Sequence, residues 1–483
     1  LLFYLANRIS GPYVELFIHR AKTSLCIELK GGCEVKLSAV ILAAGKGLRM
    51  RSDLPKVAHR VAGKPIILHV IQAVKEAGIE DIVVVVGHGR EVVQEICSGE
   101  KIRFVLQEQQ LGTGHALMQA EAVVAPEDTI LVLAGDIPLI QATTLQQLME
   151  SHRQKQATAT VLSVNMQNPS GYGRILRNKQ GAFLRIIEEK DANDEEKRIK
   201  EINSGIYCFC ARKVFSALHS TSTRNAQGEY YLTEALELLK NQQESIGIFL
   251  SDGEEDIYGI NDRVQLAQAE NILRQRKNRE LMLSGVSLMD PASTFIDSDV
   301  LIGHDTIILP FTIIEGNSRL GERCEIGPGT RISDSIIGNE VKIESSRLIQ
   351  AAVADRCNIG PFAYLRPETT LLEGVKVGDF VEIKKSTIGT GSKIPHLSYV
   401  GDATIGQGVN VGAGTITCNY DGKNKYQTVL EDRVFIGSNT NLVAPVRIGE
   451  NSITGAGSTI SRDVPPHTLA VERAGQKHLP RKG

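Results

Sequence analysis

The chain of 483 residues has no tryptophan and only 12 Phe and 11 Tyr, so its cores must be built from aliphatic side chains rather than large rings. An excess of either charge is also missing: 54 Lys plus Arg stand against 56 Asp plus Glu, a net charge of -2. Without a basic field nothing gathers a polyanion or an anionic bilayer, so neither nucleic acid nor membrane is expected as a partner. No apolar run reaches the roughly 18 residues of a membrane-spanning helix. The apolar opening, residues 1–6, is cut by Arg8, Gly11 and Pro12 and has no basic stretch before it, so it does not read as a signal peptide. Cysteine is present but unpatterned. Residues 26, 33, 97, 208, 210, 324, 357 and 418 include no C-x-x-C pair and no Cys/His cluster at zinc spacing, which leaves free thiols of a reducing cytoplasm and no catalytic cysteine. Cys208 and Cys210 alternate along a strand, a core pattern.

What is present describes a folded chain of two to four domains, with 23% charged and 42% hydrophobic residues. Glycine changes density along it: of 45, 24 fall in the 203 residues from Leu281 onward, so the chain changes character near its middle. From Leu37 an apolar run, Val40-Ile41-Leu42, leads through a Gly-rich turn to Ile67, Val70, Ile71 and Val74 at helical spacing. Strand runs at 82–86, 104–106 and 130–133 then alternate with helical stretches at 91–96 and 114–123. That alternation predicts βαβ units and a mostly parallel sheet with helices on both faces. Residues 262–283 hold strong helix formers without Gly or Pro up to Gly285 and predict a helical connector. Its Arg274, Arg276, Lys277 and Arg279 read as a solvated face.

Beyond Gly285 the period becomes six. Ile308, Ile314, Leu320, Ile326 and Ile332 fall at steps of six, as do Val353, Ile359, Leu365, Leu371, Val377 and Ile383. After single-residue slips the step resumes through Ile388, Ile394 and Val400, at Ile405 and Val411, and again through Ile436, Leu442 and Ile448. Neither a helix nor a lone strand has this period. A coil that turns a corner every six residues and sends one aliphatic inward per face does, and three faces close a triangular parallel β-helix. The domain boundaries expected are 1–34, an unmatched leader; 35–261, an α/β unit; 262–284, the linker; and 285–483, the β-helix with a short tail.

Two elements of the α/β unit carry chemistry. L-A-A-G-K-G-L-R-M (42–50) and L-P-K-V (54–57) follow the first strand. This is neither a P-loop nor a dinucleotide fingerprint. Its backbone N–H groups can nonetheless converge on an anion, with Lys46, Arg49 and Lys56 to neutralise phosphate. L-A-G-D-I-P-L then places Asp136 at the carboxyl edge of a parallel sheet, where open α/β folds bind ligands. Either element alone is more often structural; together they resemble the sugar-phosphate nucleotidylyltransferases.

The resemblance narrows to the bifunctional bacterial family of N-acetylglucosamine-1-phosphate uridyltransferase and glucosamine-1-phosphate acetyltransferase, from about Leu37 to Arg473. It rests on L-Q-E-Q-Q-L-G-T-G-H-A (106–116), A-G-D-I-P-L (134–139), G-Y-G-R-I (171–175), E-I-N-S-G-I (201–206), A-Q-G-E-Y-Y-L-T (226–233) and G-I-N-D-R (259–263). The resemblance implies a Rossmann-like nucleotidyltransferase followed by a left-handed hexapeptide β-helix. It places Leu42, Ala43, Ala44, Gly45, Arg49 and Lys56 on the nucleotide phosphates, and Gln107, Gly112 and Thr113 on the uracil. Gly173, Glu188 and Asn203 would hold the sugar, and Asp136 and Asn261 would bind Mg²⁺, a cation that takes a few protein oxygens plus substrate phosphate and water. Read alone, Asn261 is a helix cap.

In the β-helix, F-V-E-I-K-K, P-H-L-S-Y and G-A-G-T-I-T-C-N-Y-D-G (412–422) carry the same resemblance. It gives His396 the role of general base, for which an imidazole of ordinary pKa about 6.5 is suited. Arg366 and Lys384 would grip the sugar phosphate, with Tyr399, Asn410 and Asn419 on the sugar and Tyr420 close to the reacting centre. Ala413, Ser438, Ala456 and Arg473 would line the acetyl-CoA site. The implied whole is a cytoplasmic homotrimer. Its substrates would be UTP, acetyl-CoA, glucosamine 1-phosphate and N-acetylglucosamine 1-phosphate, and its product UDP-N-acetylglucosamine for peptidoglycan and lipopolysaccharide.

Two rivals compete with that reading: a single-activity nucleotidyltransferase making another sugar nucleotide, whose coil acts only in regulation or assembly, and a scaffold in which the coil trimerises an inactive nucleotide-binding domain. His396, Asn410, Asn419 and Tyr420, in the contexts that carry the resemblance, oppose the first, and Arg49, Lys56, Asp136 and Asn261 oppose the second. Leu48 departs from the hydroxyl residue common in the family, a position at which the backbone amides are expected to serve. Residues 1–34 have no counterpart there, and V-K-L-S-A-V-I-L reads as a natural start, so the leader is expected to be an artefact of the gene start. Deleting it should leave both activities and the melting temperature unchanged; a large loss in either assay would refute this.

Overall fold

A computed structural model describes residues 36–480; the 1–34 segment, with Cys26 and Cys33, lies outside the described residues. The chain divides into two compact units, one ending at Ala269 and the other beginning at Glu270. The first contains β1 (Leu37–Ala43), α1 (Ile66–Glu76), β2 (Asp81–Val86), α2 (Arg90–Ile96), β3 (Arg103–Leu106), α3 (Thr113–Met118), β4 (Thr129–Ala134) and α4 (Ala142–Gln154). There follow β5 (Ala159–Asn165), the hairpin β6 (Arg174–Arg177) and β7 (Phe183–Ile187), β8 (Glu201–Cys210), α5 (Ala211–Leu218), α6 (Leu232–Asn241) and β9 (Ile246–Ser251).

The main sheet runs β9-β5-β8-β4-β1-β2-β3. Only β8 is antiparallel to its neighbours along this path. Continuous apolar runs mark strands covered on both faces. Alternate residues of β1, β2 and β4 accordingly enter two cores, with Ile41, Val84 and Leu131 in one and Val40, Val85 and Val132 in the other. The expected helix at 114–123 is two pieces, α3 and a short turn at Glu121–Val123 closed by tighter i→i+3 bonding. Cys208 is fully buried and Cys210 half-buried. Burial also pushes the Cys97 and Cys357 thiols up to about 11, which keeps them unreactive near neutral pH.

Helix α7 (Arg263–Leu283) forms where expected, but its basic face is not simply solvated. Within the second unit, Arg274 lies over the Phe295 ring at 4.2 Å, a cation–π contact. The Lys277 side chain is 6% exposed and paired with Glu280 at 3.2 Å. Asn278 donates to the Pro291 carbonyl at 3.0 Å, and Leu281 joins the core of the coil. The C-terminal part of the helix is therefore a cap on the first coil, which hides apolar surface that a terminal repeat would expose. No helix among the described residues is long and apolar enough to cross a membrane.

The second unit is a left-handed parallel β-helix of three sheets with 11, 10 and 9 strands. Most strands are two or three residues long, one residue facing out and the next in. The hexad aliphatics stack as ladders: Ile308, Ile326, Ile343, Ile359, Val377 and Ile394 pair in register, each no more than 1% exposed. Coils stack so closely that side chains cannot fit at some corners. A Cβ on Gly389 would lie 2.3 Å from the Gly406 backbone, which explains the recurring aliphatic-Gly pair. Other corners hold ordinary residues at positive φ, such as Phe362 at 60° and Leu397 at 50°. Their strain is offset by inter-coil bonds such as Leu397 N–H to the Asp379 carbonyl at 2.9 Å.

Ile359→Ala opens a cavity in a ladder and should destabilise the coil by about 2–5 kcal/mol, whereas Asn358→Ala on its outer face should change stability by less than about 0.5 kcal/mol. Denaturant unfolding of the two variants checks the register, and equal effects would disprove it.

Candidate active sites

The loops at the carboxyl ends of β1 and β4 meet because Gly135 N–H donates to the Leu42 carbonyl at 2.9 Å. Gly47 sits at φ 60°, and a Cβ there would be 2.7 Å from the Lys56 Cβ. Glycine at this turn therefore lets the Lys56 stem pass beneath the loop. The Lys56 ammonium then ion-pairs with Asp136 and donates to Asn261 Oδ1 at 3.2 Å. Arg49 donates to the same amide oxygen at 2.8 Å.

Asn261 is not the helix cap its sequence position suggested. Asp262 accepts from Gln265 N–H at 2.8 Å and Gln265 accepts from Asn261 N–H at 2.7 Å, a reciprocal cap. This leaves the Asn261 side chain to face Lys56. A carboxylate oxygen and an amide oxygen from separate segments thus converge on one cation, a hard donor pair that suits a divalent ion completed by phosphate and water. Among the described residues there is no group of three or more His, Cys, Asp or Glu that could hold a metal by themselves.

A cavity of about 850 Å³ opens beside this cluster. Leu42, Ala43, Ala44, Gly45, Lys56 and Asp136 line it from one side, and Gln107, Gly112 and Thr113 from the other. Gly112 has φ 108°, and a Cβ there would meet the Tyr230 carbonyl at 2.7 Å. The three expected sugar residues gather separately around the hairpin. Asn203 N–H donates to the Gly173 carbonyl at 2.8 Å, and a Cβ on Gly173 would lie 3.3 Å from Glu188 Oε2. They join the cavity through Tyr207, which lines it and accepts from Asn203 Nδ2 at 2.8 Å. Tyr207 was missed in the sequence. A register shift in β8 between Asn203 and Tyr207, with Gly205 at φ 77°, brings the two side chains together, and a glycine inside a strand is the one signal for it.

Burial raises the Glu188 pKa, partly opposed by the Thr233 hydroxyl, which donates to it at 3.1 Å. A separate cavity of about 970 Å³ between α4 and β9 contains none of the expected residues.

In the β-helix, His396 follows Asp379 in register, with Nδ1 and the carboxylate 4.0 Å apart. Gly412 and Gly437 are each packed against the residue pair of the next coil, Gly437-Ser438 and Gly455-Ala456. Ala413, Ser438 and Ala456 therefore occupy one corner row on successive coils. Ladder pairing puts His396 at the same corner one coil earlier. The Arg473 guanidinium lies 3.3 Å from the position a Gly455 Cβ would take, at the far end of that row.

On the adjoining sheet, Arg366 donates to Glu382 at 2.8 Å, Lys384 is 3.9 Å from Asp402, and Asn419 donates to Asp402. The Tyr399 hydroxyl and the Asn419 amide lie over Gly401, where a Cβ would collide with the hydroxyl. Between the strands Ile416–Cys418 and Thr428–Leu430 the coil is interrupted by a polar excursion, residues 419–427, and Lys425, also missed in the sequence, returns from it through a bridge with Tyr420. The Lys384 ammonium beside it holds Lys425 below the usual lysine range. Two such ammoniums side by side make a site for an anion. Tyr420 is exposed, its hydroxyl bonded to the Gly422 carbonyl at 2.6 Å. Asn410 stands apart, on the outer row of a different sheet between Lys393 and Phe435.

Fold and sites define a transferase with two unlike units. Residues 39–239 match the MobA-like NTP transferase domain, and residues 299–334 and 427–462 match the bacterial transferase hexapeptide family of six repeats. The chain is 98% identical over 449 residues to the bifunctional protein GlmU of Syntrophomonas wolfei subsp. wolfei, covering 93% of this chain and 100% of that one. It is 53% identical to that of Heliobacterium modesticaldum, over 92% of this chain and 96% of the relative. Against that of Carboxydothermus hydrogenoformans it is 52% identical, over 91% and 98%. The chain belongs to the bifunctional GlmU family, and it joins nucleotidyl transfer in the first unit to acetyl transfer in the second, two steps of UDP-N-acetylglucosamine synthesis.

Because its folded pKa is raised, Glu188 costs the first unit stability as pH climbs through its titration, and costs nothing below the unfolded value, where both states are protonated. Glu188→Gln should therefore raise the melting temperature at pH 8 and hardly change it at pH 4. A stability gain that does not grow with pH would contradict this.

Proposed function

We propose that the first unit transfers the uridylyl group of UTP to N-acetylglucosamine 1-phosphate, and that the second unit makes this acceptor by acetylating glucosamine 1-phosphate from acetyl-CoA. The observation that carries the first assignment is the meeting of Arg49, Lys56, Asp136 and Asn261 at one end of the 850 Å³ cavity. A sugar 1-phosphate oxygen attacks the α-phosphorus in line, a new P–O bond forms, and the bond to the β-phosphate breaks to release pyrophosphate. Lys56 and Arg49 neutralise charge on the triphosphate, and the backbone of Leu42 to Gly45 supplies N–H donors; positioning and electrostatics suffice without a covalent intermediate. Gln107, Gly112 and Thr113 hold the uracil, and Gly173, Glu188 and Asn203 the acetylated sugar. Asp136 and Asn261 would hold Mg²⁺, which would screen the phosphates when bound.

For the second reaction the support is the corner row that begins at His396. Acetyl-CoA lies along Ala413, Ser438 and Ala456 with Arg473 on its anionic end, while Arg366 and Lys384, with Lys425, take the sugar phosphate. Tyr399 and Asn419 orient the amine, with Tyr420 close by. The amine nitrogen bonds to the acetyl carbon as the C–S bond breaks, and His396, oriented by Asp379, passes the ammonium proton to the departing thiolate. Asn410 reaches the sugar of a neighbouring copy, because it lies on another sheet from Tyr399. Its row continues as Phe435, Ile453 and Leu469, apolar and 46–65% exposed, a surface suited to an interface. A cytoplasmic homotrimer with acetyl-CoA between subunits fits these features, and light scattering at the mass of a monomer would refute it.

Incubation with glucosamine 1-phosphate, acetyl-CoA, UTP and Mg²⁺, omitting each in turn, should yield UDP-N-acetylglucosamine only from the full mixture. Asp136→Ala should abolish uridyl transfer and spare acetyl transfer. His396→Ala should lower acetyl transfer by about 10²- to 10⁴-fold and spare uridyl transfer. Loss of both activities in either variant, or product formed only from N-acetylglucosamine 1-phosphate supplied ready-made, would overturn the assignment.

A further inference from the structure

Gln107 follows β3, 3% exposed, with its backbone N–H held by the Val86 carbonyl at 2.8 Å. Its side-chain nitrogen makes two contacts, to the Gly112 carbonyl at 3.2 Å and to His115 Nδ1 at 3.0 Å. A backbone carbonyl can only accept, so the first contact fixes which end of the amide is nitrogen. Two amide nitrogens approach the imidazole, that of Gln107 at 3.0 Å from Nδ1 and that of Gln119 at 3.3 Å from Nε2, and a neutral ring has one lone pair for them. The nearer contact takes it, since Gln119 has the His115 carbonyl as its partner, and this puts the proton on Nε2. An amide nitrogen has two N–H bonds, and both are spent. What Gln107 can offer a ligand in the cavity is Oε1, an acceptor.

His115 is on α3 and does not line that cavity; it borders a smaller one with Leu106, Glu108, Gln109 and Gln119. The Gln119 amide nitrogen donates to the His115 carbonyl at 3.0 Å and stands 3.3 Å from Nε2. The Tyr230 ring lies 6.2 Å away. The imidazole is thus packed on several sides with its Nδ1 edge against Gln107.

We infer that His115 is a positioning residue that sets base selectivity: by accepting from Gln107 it presents Oε1 to the nucleobase, so the site takes a pyrimidine with N3–H and rejects one with a bare N3. Uracil carries a hydrogen on N3 and pairs with the oxygen. Cytosine has a lone pair there, and two acceptors would face each other, the arrangement in which buried polar groups discriminate best. Without the acceptor at Nδ1 the amide loses one of its two anchors and can turn its nitrogen toward the base. This inference rests on the proposal that Gln107 reads the nucleobase.

The test is the ratio of kcat/KM for UTP to that for CTP in the full-length enzyme, which is independent of the fraction of protein that is folded. His115→Leu should reduce the ratio by about 3- to 10-fold, the worth of one such hydrogen bond. His115→Asn, whose Oδ1 can occupy the place of Nδ1, should keep it within about twofold. Gln107→Leu should collapse it. If His115→Leu keeps the parent ratio while Gln107→Leu loses it, or if His115→Asn falls as far as His115→Leu, the positioning role is wrong and base reading by Gln107 stands. If Gln107→Leu also keeps the ratio, the reading of the base by Gln107 fails and the inference with it.

Discussion

The contact on which the first unit depends is that of the Lys56 ammonium with Asp136 and Asn261. These residues come from three separated loops, and no single stretch of backbone fixes one relative to another. The ammonium and the two oxygens are incompletely paired without one another, and the Asp136 and Lys56 side chains are each only 18% exposed, so separating them leaves charge poorly solvated. The same three groups are the ones a polyphosphate and its counter-ion require. Preorganisation for the ligand and closure of the fold are therefore one arrangement, and this is why Gly47 and the cap at Asp262 lie so near it.

The second unit depends on a different constraint, the spacing of its coils. Once the aliphatic ladders fix the register, every residue has a place relative to its counterparts one coil away. A functional row is obtained simply by repeating a small residue at the same corner. His396, Ala413, Ser438 and Ala456 are spread over some sixty positions of sequence, yet the ladders bring them into line. Residues on different sheets, such as Asn410 and Tyr399, are kept apart by the same geometry.

Much of this was legible in the sequence. The six-residue period names most of the inward side chains of the coil, because a solenoid repeats its burial pattern; Ile337, Ile343 and Leu348, equally buried, fall between Ile332 and Val353 where shortened coils break the step of six. The strand-turn pattern around Leu42 and Asp136 gave the edge of the sheet, and the family strings gave the lining of the cavity. What escaped depended on tertiary geometry. Tyr207 reaches Asn203 only through an irregularity in β8; Lys425 returns to Lys384 only because the excursion folds back on itself; Asp262 takes the cap that Asn261 could have taken. The arginines and lysine of α7 looked like a wet surface, since a helix of low amphipathicity shows no preferred face until the coil beneath it supplies Phe295.

The single corner row has a metric consequence. Strands in adjacent coils are separated by about 4.8 Å, so three steps carry the row from His396 to Ala456 over about 14 Å. A coil added between them would lengthen that span by one fixed increment, whereas residues gained or lost at a corner leave it unchanged, since successive members of one ladder pair in register at 16, 17, 18 or 25 residues apart. Such a scaffold is a ruler graduated in whole turns. The length of the extended molecule it accommodates is set by counting coils, and lineages could adjust it only in discrete steps.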